Sequence, residues 1–141
     1  MSDSKSIPAP GATPDTALGP PLGATPLAGG RCRFAVWAPF AGRLSVRLLG
    51  GPEVNADRVV PMAKSESGYF ETETDNAPAG TRYFYRLANG SERPDPASRF
   101  QPDGVHGPSQ VVDVSAFQWT DAAWQGLDLE DSVFYELHVG T

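Results

Sequence analysis

The chain has only one cysteine, Cys32, among its 141 residues. It can therefore form no internal disulfide and no metal site built from several thiolates. It contains no apolar run long enough to span a bilayer, and its N-terminal residues lack the apolar stretch of a secretory signal. With a net charge of −6 and no basic stripe, it has no electrostatic attraction for nucleic acid. We therefore expect a cytoplasmic protein with no metal, no cofactor, no nucleic-acid partner and no membrane partner.

The sequence also lacks any long apolar pattern of helical period. Instead, 15 glycines and 14 prolines divide it into short segments, which favours strands joined by turns. Alternation within these segments places Cys32 and Phe34 on an inner face, and likewise Leu44 and Val46. The pattern predicts an all-β protein, an immunoglobulin-like sandwich, with strands at residues 31–37, 43–48, 59–62, 68–74, 81–88 and 110–114.

Two local features refine this prediction. The dipeptide Asn89-Gly90 follows the strand at 81–88 and predicts a type I′ hairpin turn, in which both central residues need positive φ. Cys32 lies within a strand pattern, so a buried and inert thiol is expected rather than a reactive one.

Composition divides the chain into four parts. Residues 1–21 are rich in Pro, Gly and Ala and contain no aromatic side chain, so they are predicted to be a disordered tail. Residues 22–115 form the predicted sandwich, and 116–131 a linker. Residues 132–141 read as a buried strand that opens another domain, which predicts that the chain is the front part of a longer protein.

One connection, residues 93–109, is unusually long for a loop without secondary structure. Its prolines stiffen it, and Asp95, Arg99 and His106 supply polar groups. These three side chains could pack against a neighbouring domain, contact sugar hydroxyls, or only stiffen the loop. We favour domain packing.

Two groups of residues carry a resemblance to known enzymes. The strand Phe-Ala-Val-Trp-Ala-Pro at 34–39 resembles the start of the early-set, immunoglobulin-like domain of α-amylase-family enzymes. The loop segment 95–109, with Trp119, Trp124 and Tyr-Glu-Leu-His-Val-Gly-Thr at 135–141, resembles the malto-oligosyltrehalose trehalohydrolases. This resemblance implies an early-set sandwich followed by the first strand of a truncated (β/α)8 barrel.

The resemblance also implies an activity for the parent protein. Such a parent is a retaining glycoside hydrolase of trehalose biosynthesis that releases trehalose from malto-oligosyltrehalose, using two carboxyl groups about 5 Å apart. In this family those groups lie on later barrel strands. The implied partners of this chain are the C-terminal catalytic barrel of the same polypeptide and, through it, malto-oligosyltrehalose. No residue of the chain is expected to be catalytic.

Four further residues are candidates for a role in substrate binding or at a domain seam. Glu136 and His138 are two apart on the last predicted strand, so they share a face. That face would be the barrel interior, where a hydrogen-bonded structural pair is favoured over a subsite role. Trp119 and Trp124 lie in the linker and are expected to anchor the domain seam rather than stack on sugar.

Three functions compete. The chain could be the accessory domain of the trehalose-releasing enzyme, or of a glycogen branching or debranching enzyme. It could be an α-glucan-binding module, which requires exposed coplanar aromatic rings. It could also be an interaction domain that pairs through a sheet face. We favour the accessory domain of the trehalose-releasing enzyme, and we expect this chain on its own to be inactive.

Overall fold

The computed structural model describes residues 20–50 and 56–139. Within them, the prediction of an all-β protein is confirmed, because the chain forms two antiparallel sheets packed face to face. The disordered tail predicted for residues 1–21 lies outside the described residues except for its last two positions.

The first sheet has four strands in the order β1-β2-β6-β5. These are β1 (Gly23–Leu27), β2 (Arg31–Trp37), β5 (Ala63–Lys64) and β6 (Tyr69–Thr74). Strand β2 pairs with β1 on one side and β6 on the other, and it crosses the middle of the sheet.

The second sheet follows the order β4-β3-β7-β8, and β9 also pairs with β7. Its strands are β3 (Leu44–Leu48), β4 (Arg58–Pro61), β7 (Arg82–Leu87), β8 (Glu92–Arg93) and β9 (Ser109–Gln110). Strands β8 and β9 share one edge of β7, because β8 pairs with Tyr85 and Arg86 whereas β9 pairs with Arg82 and Tyr83.

The core lies between the sheets and follows the alternation in the sequence. Phe34 and Val46 are fully shielded from solvent, and the ring of Phe34 meets that of Tyr83 edge-on at 4.8 Å. Cys32 is fully buried beside them, as predicted, and burial raises the pKa of its thiol to about 12. The thiol is therefore protonated and inert at neutral pH.

The hairpin between β7 and β8 differs from the prediction. Gly90 has φ +83°, but Asn89 is not among the described residues with positive φ. The amide of Gly90 donates to the carbonyl of Leu87, and the Asn89 side chain accepts from the amide of Ser91. The turn is therefore type I with one left-handed glycine, not type I′, because the Asn89 side chain holds its own backbone in the right-handed region.

The predicted strand at 110–114 is also shorter than expected. Strand β9 ends at Gln110, and Val114–Ala116 forms a single 3₁₀ turn. The carboxylate of Asp113 accepts hydrogen bonds from the amide and hydroxyl of Ser115, which starts this turn and ends the extended backbone.

Residues 132–139, where the sequence predicts a barrel strand, form no β-ladder within the described part of the chain. A single 3₁₀ turn, Leu129–Asp131, precedes them, and Val133, Phe134, Tyr135 and Val139 are all at least 80% exposed. No helix within the described ranges is long and apolar enough to cross a membrane.

Candidate functional site: the long loop and its roots

The long loop begins and ends on the same edge of strand β7. It connects β8 to β9, which lie next to each other on the edge of β7, so its ends are close together. The amide of Asp95 near one end donates to the hydroxyl of Ser109 at the other end, at 2.9 Å. Residues 94–108 therefore form a compact surface loop with adjacent ends, an Ω-loop.

Asp95 anchors the Ω-loop to the interior of the sandwich. The residue is 3% exposed, and its carboxylate accepts hydrogen bonds from the hydroxyls of Tyr83 at 2.6 Å and Tyr85 at 3.2 Å. Its other oxygen accepts from the amide of Ala97 at 2.8 Å. The carboxylate thus satisfies three donors and faces inward, away from any molecule in solvent.

The buried surroundings raise the pKa values of Tyr83 and Tyr85. Burial raises the pKa of both phenols far above the ordinary value, and the negative charge of Asp95 raises it further. Both phenols therefore remain protonated and donate hydrogen bonds at any physiological pH. This arrangement holds the loop but offers no group that can exchange protons with a substrate.

Arg99 ties the Ω-loop to the first sheet. Its Nη1 donates to the carbonyl of Ala24 on β1 at 2.8 Å. Gly23 on the same strand, with φ +91°, lies so close to the loop that a Cβ there would be 3.0 Å from the carbonyl oxygen of Ala97. The loop is therefore fixed to both sheets, by Asp95 on one and Arg99 on the other.

The outer part of the Ω-loop carries exposed side chains. His106 is exposed, and Phe100 and Val105 are 49% and 72% exposed. The backbone beneath them is held by turns, in which Gly104 donates to Gln101 and Gly107 donates to Gly104. The loop thus presents a rigid, partly apolar surface with an imidazole on it.

The remaining candidates lie away from this loop in sequence. Trp119 and Trp124 are 75% and 68% exposed, and the ring of Trp119 meets that of Phe117 edge-on at 4.9 Å. Glu136 and His138 are exposed on the extended segment near the end. The structure thus uses Asp95 and Arg99 to hold the Ω-loop, Asp95 through Tyr83 and Arg99 through Ala24. The seam and substrate roles of all seven candidates stay predictions.

The partners of Asp95 were not predicted from the sequence, although a signal was present. The alternation of β7 places Tyr83 and Tyr85 on the inner face, and buried phenol hydroxyls require hydrogen-bond partners. An acidic residue just after the next hairpin was available to supply them.

A second exposed feature, also missed, is the turn at residues 38–41. Phe40 is completely exposed, and the neighbouring Trp37 is 55% exposed. The ammonium group of Lys64 donates to the carbonyls of Pro39 and Ala41 at 2.8 and 2.7 Å, and the amide of Ala38 donates to Gly68 at 3.0 Å. The turn therefore presents an aromatic side chain on a braced backbone.

Within residues 20–50 and 56–139, no group of three or more His, Cys, Asp or Glu residues is placed to hold a metal ion. Several acidic side chains instead form ion pairs, such as the part-buried pair of Arg33 with Glu71 and the exposed pair of Arg82 with Asp103.

Comparisons with known proteins define the class of module. Residues 21–103 match the model of carbohydrate-binding module 48, the isoamylase N-terminal domain. The chain therefore belongs to the carbohydrate-binding module 48 family.

Individual relatives show which enzymes carry a similar module. A malto-oligosyltrehalose trehalohydrolase from Deinococcus radiodurans is 47% identical over 121 residues, covering 85% of this chain and 19% of that protein. A 1,4-alpha-glucan branching enzyme from Pseudoalteromonas atlantica is 31% identical, covering 90% of this chain and 18% of that protein. The chain therefore spans about a fifth of the length of these relatives, in the N-terminal part of the trehalohydrolases.

A solved structure agrees with these matches. The crystal structure of a candidate alpha amylase from Salmonella typhimurium superposes with a TM-score of 0.70 at 35% identity. It covers 85% of this chain and 19% of that chain.

Proposed function

We propose that this chain is the N-terminal accessory module of a malto-oligosyltrehalose trehalohydrolase, a retaining glycoside hydrolase that releases trehalose from malto-oligosyltrehalose. The observation that carries the proposal is the 47% identity with the Deinococcus radiodurans enzyme. That match extends over 121 residues, further than the residues 21–103 that define the module family. The similarity therefore includes sequence outside the shared module.

The exposed residues after the sandwich support a covalently linked partner. From Phe117 to Val139, aromatic and aliphatic side chains are mostly exposed, including Trp119, Trp124 and Leu137. Many exposed apolar side chains in one segment are typical of an interface. We propose that residues 22–115 form the module and 116–131 a linker, that 132–141 begin the catalytic barrel, and that Trp119 and Trp124 anchor the seam.

We propose that the module supports the catalytic barrel and takes no part in the reaction itself. Asp95 is closed off from solvent by the two tyrosines, so it is unavailable as a catalytic carboxyl. The rigid Ω-loop, with Arg99 at its root and His106 on its surface, is suited to packing on the barrel. Glu136 and His138 would then lie within the barrel as a structural pair. A cytoplasmic location stays a prediction from the sequence.

A chimaeric enzyme tests this proposal. The matching segment of the Deinococcus radiodurans trehalohydrolase is replaced by this chain, and trehalose release from maltotriosyltrehalose is measured. The matched control places the chain in the Pseudoalteromonas atlantica branching enzyme and measures branching of amylose. We expect activity in the first chimaera, little in the second, and no trehalose release from this chain alone.

Two outcomes would contradict the proposal. Turnover by the pure chain, proportional to its concentration, would show that it contains its own catalytic residues. Full branching activity in the control, with an inactive trehalohydrolase chimaera, would favour the branching-enzyme alternative.

A second candidate function is direct binding of α-glucan, because the module exposes Trp37 and Phe40 close together in sequence. Tyr69 lies opposite Trp37 in the β2–β6 ladder, which adds an aromatic side chain to that end of the sheet. Affinity electrophoresis in gels containing glycogen tests this function. Retardation that is lost in Trp37→Ala would establish binding, and equal mobility with and without glycogen would exclude it.

A further inference from the structure

The outer face of the second sheet contains an open cavity of about 430 Å³. The cavity is lined by Ser45 on β3 and by the two residues directly opposite it in the ladders, Pro61 on β4 and Arg86 on β7. Arg43 lies two residues before Ser45 and also lines the cavity. A volume of this size is within the range of small-molecule sites.

The charges around this cavity are unusual for this protein. Among the Lys and Arg residues that the structure describes, all except Arg43 and Arg86 donate to a carboxylate or a carbonyl. Both exceptions line the same cavity, and no acidic residue lines it. In a chain with net charge −6, this is a local concentration of unpaired positive charge.

The carboxylate opposite Arg86 on the neighbouring strand is already engaged. Glu92 on β8 lies opposite Arg86 in the β7–β8 ladder, but its carboxylate accepts from Nη1 of Arg47 at 2.6 Å. Arg47 in turn is also bonded to Asp57. Glu92 is therefore held by another cation, and the Arg86 guanidinium keeps its donors available.

The chemistry of the lining defines the ligand. Arg43, just before β3, and Arg86, on β7, line the cavity together with Ser45, whose hydroxyl makes no hydrogen bond among the described residues. Guanidinium groups bind phosphate through paired N–H donors, and a phosphoryl group has enough oxygens to accept from both arginines and the hydroxyl. Val59, Pro61 and Leu87 supply an apolar wall beside these donors.

We propose that this cavity binds a phosphate monoester of monosaccharide size. The phosphoryl group lies between Arg43 and Arg86, near the Ser45 hydroxyl, and the organic body rests against Val59 and Pro61. The size of the cavity favours an ester over a free phosphate ion, because an ion alone would leave the apolar wall uncovered. The site does not depend on the proposed function, since it is built entirely from strands of the sandwich.

An NMR titration of this chain tests the proposal. Amide spectra are recorded with glucose 6-phosphate, glucose and inorganic phosphate at equal ionic strength. We expect glucose 6-phosphate to shift the signals of Ser45, Arg86 and Gly90, inorganic phosphate to bind several-fold more weakly, and glucose to leave the spectrum unchanged. Arg43→Gln and Arg86→Gln should each weaken binding at least about tenfold, because each removes charged hydrogen bonds.

The matched control is Arg82→Gln, which removes the same charge from the outward face of the same strand. Arg82 is paired with Asp103 at 2.8 Å and does not line the cavity, so binding should change by less than about twofold. Dispersed amide spectra verify that each variant is folded. The proposal is overturned if glucose 6-phosphate binds equally well to Arg43→Gln and Arg86→Gln, or if it causes no shift. Equal affinity for inorganic phosphate would overturn the assignment of an organic body.

Discussion

The phenol oxygen of Tyr83 lies 2.6 Å from the carboxylate of Asp95, which joins the centre of strand β7 to the first turn of the Ω-loop. Both residues are almost completely buried, at 1% and 3% exposure. A charged hydrogen bond inside the core is stable only when its remaining lone pairs are satisfied, and here Tyr85 and the Ala97 amide complete the set. The loop is thus held from within the sandwich.

Replacing Asp95 should therefore destabilise the module strongly. Asp95→Ala leaves the buried Tyr83 hydroxyl and the Ala97 amide without an acceptor, and each orphaned group costs about 1–3 kcal/mol. The Tyr85 hydroxyl keeps an acceptor, because it also lies 3.3 Å from the carbonyl of Ala35. We expect the free energy of unfolding in urea to fall by at least about 2 kcal/mol. The control Asp103→Ala removes an exposed ion pair with Arg82 and should cost less than about 1 kcal/mol. Similar losses in the two variants would contradict the anchoring role of Asp95.

Arg99 and His106 should behave differently from each other in this chain. Arg99→Ala breaks the hydrogen bond to Ala24 that joins the loop to β1, and should lower the unfolding free energy by about 1–2 kcal/mol. His106→Ala changes an exposed side chain and should leave stability within about 0.5 kcal/mol. Thermal unfolding of both variants measures this, and a larger loss from His106→Ala would refute it.

Alkaline pH should destabilise the sandwich in a specific window. The pKa of the Cys32 thiol is raised to about 12 in the folded protein, and those of Tyr83 and Tyr85 are raised further. A raised pKa contributes stability that is complete below the unfolded pKa and is lost as pH rises toward the folded pKa. The loss should begin near the unfolded thiol pKa of about 8.5 and steepen above about 10, where unfolded tyrosines ionise.

The Cys32 contribution to this window can be isolated. Each proton released only by the unfolded state lowers stability by about 1.4 kcal/mol per pH unit. In Cys32→Ala the slope of unfolding free energy against pH should become flatter between about pH 9 and 10, whatever the absolute stability of the variant. An unchanged slope would show that the thiol does not titrate as its burial requires.

The braced turn beneath Phe40 depends on a glycine. Gly68 has φ +87°, and a Cβ there would lie 2.7 Å from the Cβ of Pro39. Gly90 has nearly the same φ of +83°, but nothing lies within 4 Å of an added Cβ. Both alanine variants carry about 1 kcal/mol of backbone strain, and only Gly68→Ala adds a steric clash of about 1–3 kcal/mol. Chemical denaturation compares them, and equal losses would exclude the clash.

Hydrogen exchange should separate the sandwich from the segment that follows it. Strand β3, Leu44–Leu48, is paired with β4 on one side and β7 on the other, so its amides should exchange slowly. Residues 133–139 form no ladder in the described structure and should exchange fast. Comparable protection in the two segments, at several protein concentrations, would contradict the described conformation of residues 133–139.

The sequence predicted the interior strands well, because a strand with one buried face shows clear alternation. Strand β2 has the predicted bounds, and β3 and β7 differ by one residue at their ends. Three short or edge strands, β1, β5 and β8, were missed for physical reasons. Strand β1 contains Pro26, which removes a backbone donor, and β5 and β8 have two residues each, too few for a period to appear. Strand β9, also of two residues, was predicted only at Gln110.

The site was harder to predict than the fold. Asp95 and Arg99 were named from the sequence as polar groups of the long loop, but their partners were not predicted, because Tyr83 and Ala24 reach them only through tertiary structure. The unpaired state of Arg43 and Arg86 also had no signal in the sequence, since it depends on which carboxylates the other basic residues engage.

The bond from Arg99 to Ala24 closes a loop of chain between residues 75 positions apart. Three of the seven described ladders, β2 with β6, β3 with β7 and β7 with β9, likewise join strands that are not consecutive in sequence. Proteins dominated by such non-local contacts fold slowly, within milliseconds to seconds, because the entropy of loop closure is lost before the contacts form. The contacts that hold the Ω-loop, including the bond from Asp95 to Ser109, cannot form until the chain has been synthesised through Ser109. The hydrogen bonds that hold the Ω-loop therefore form only after β1, β7 and the loop itself are all present.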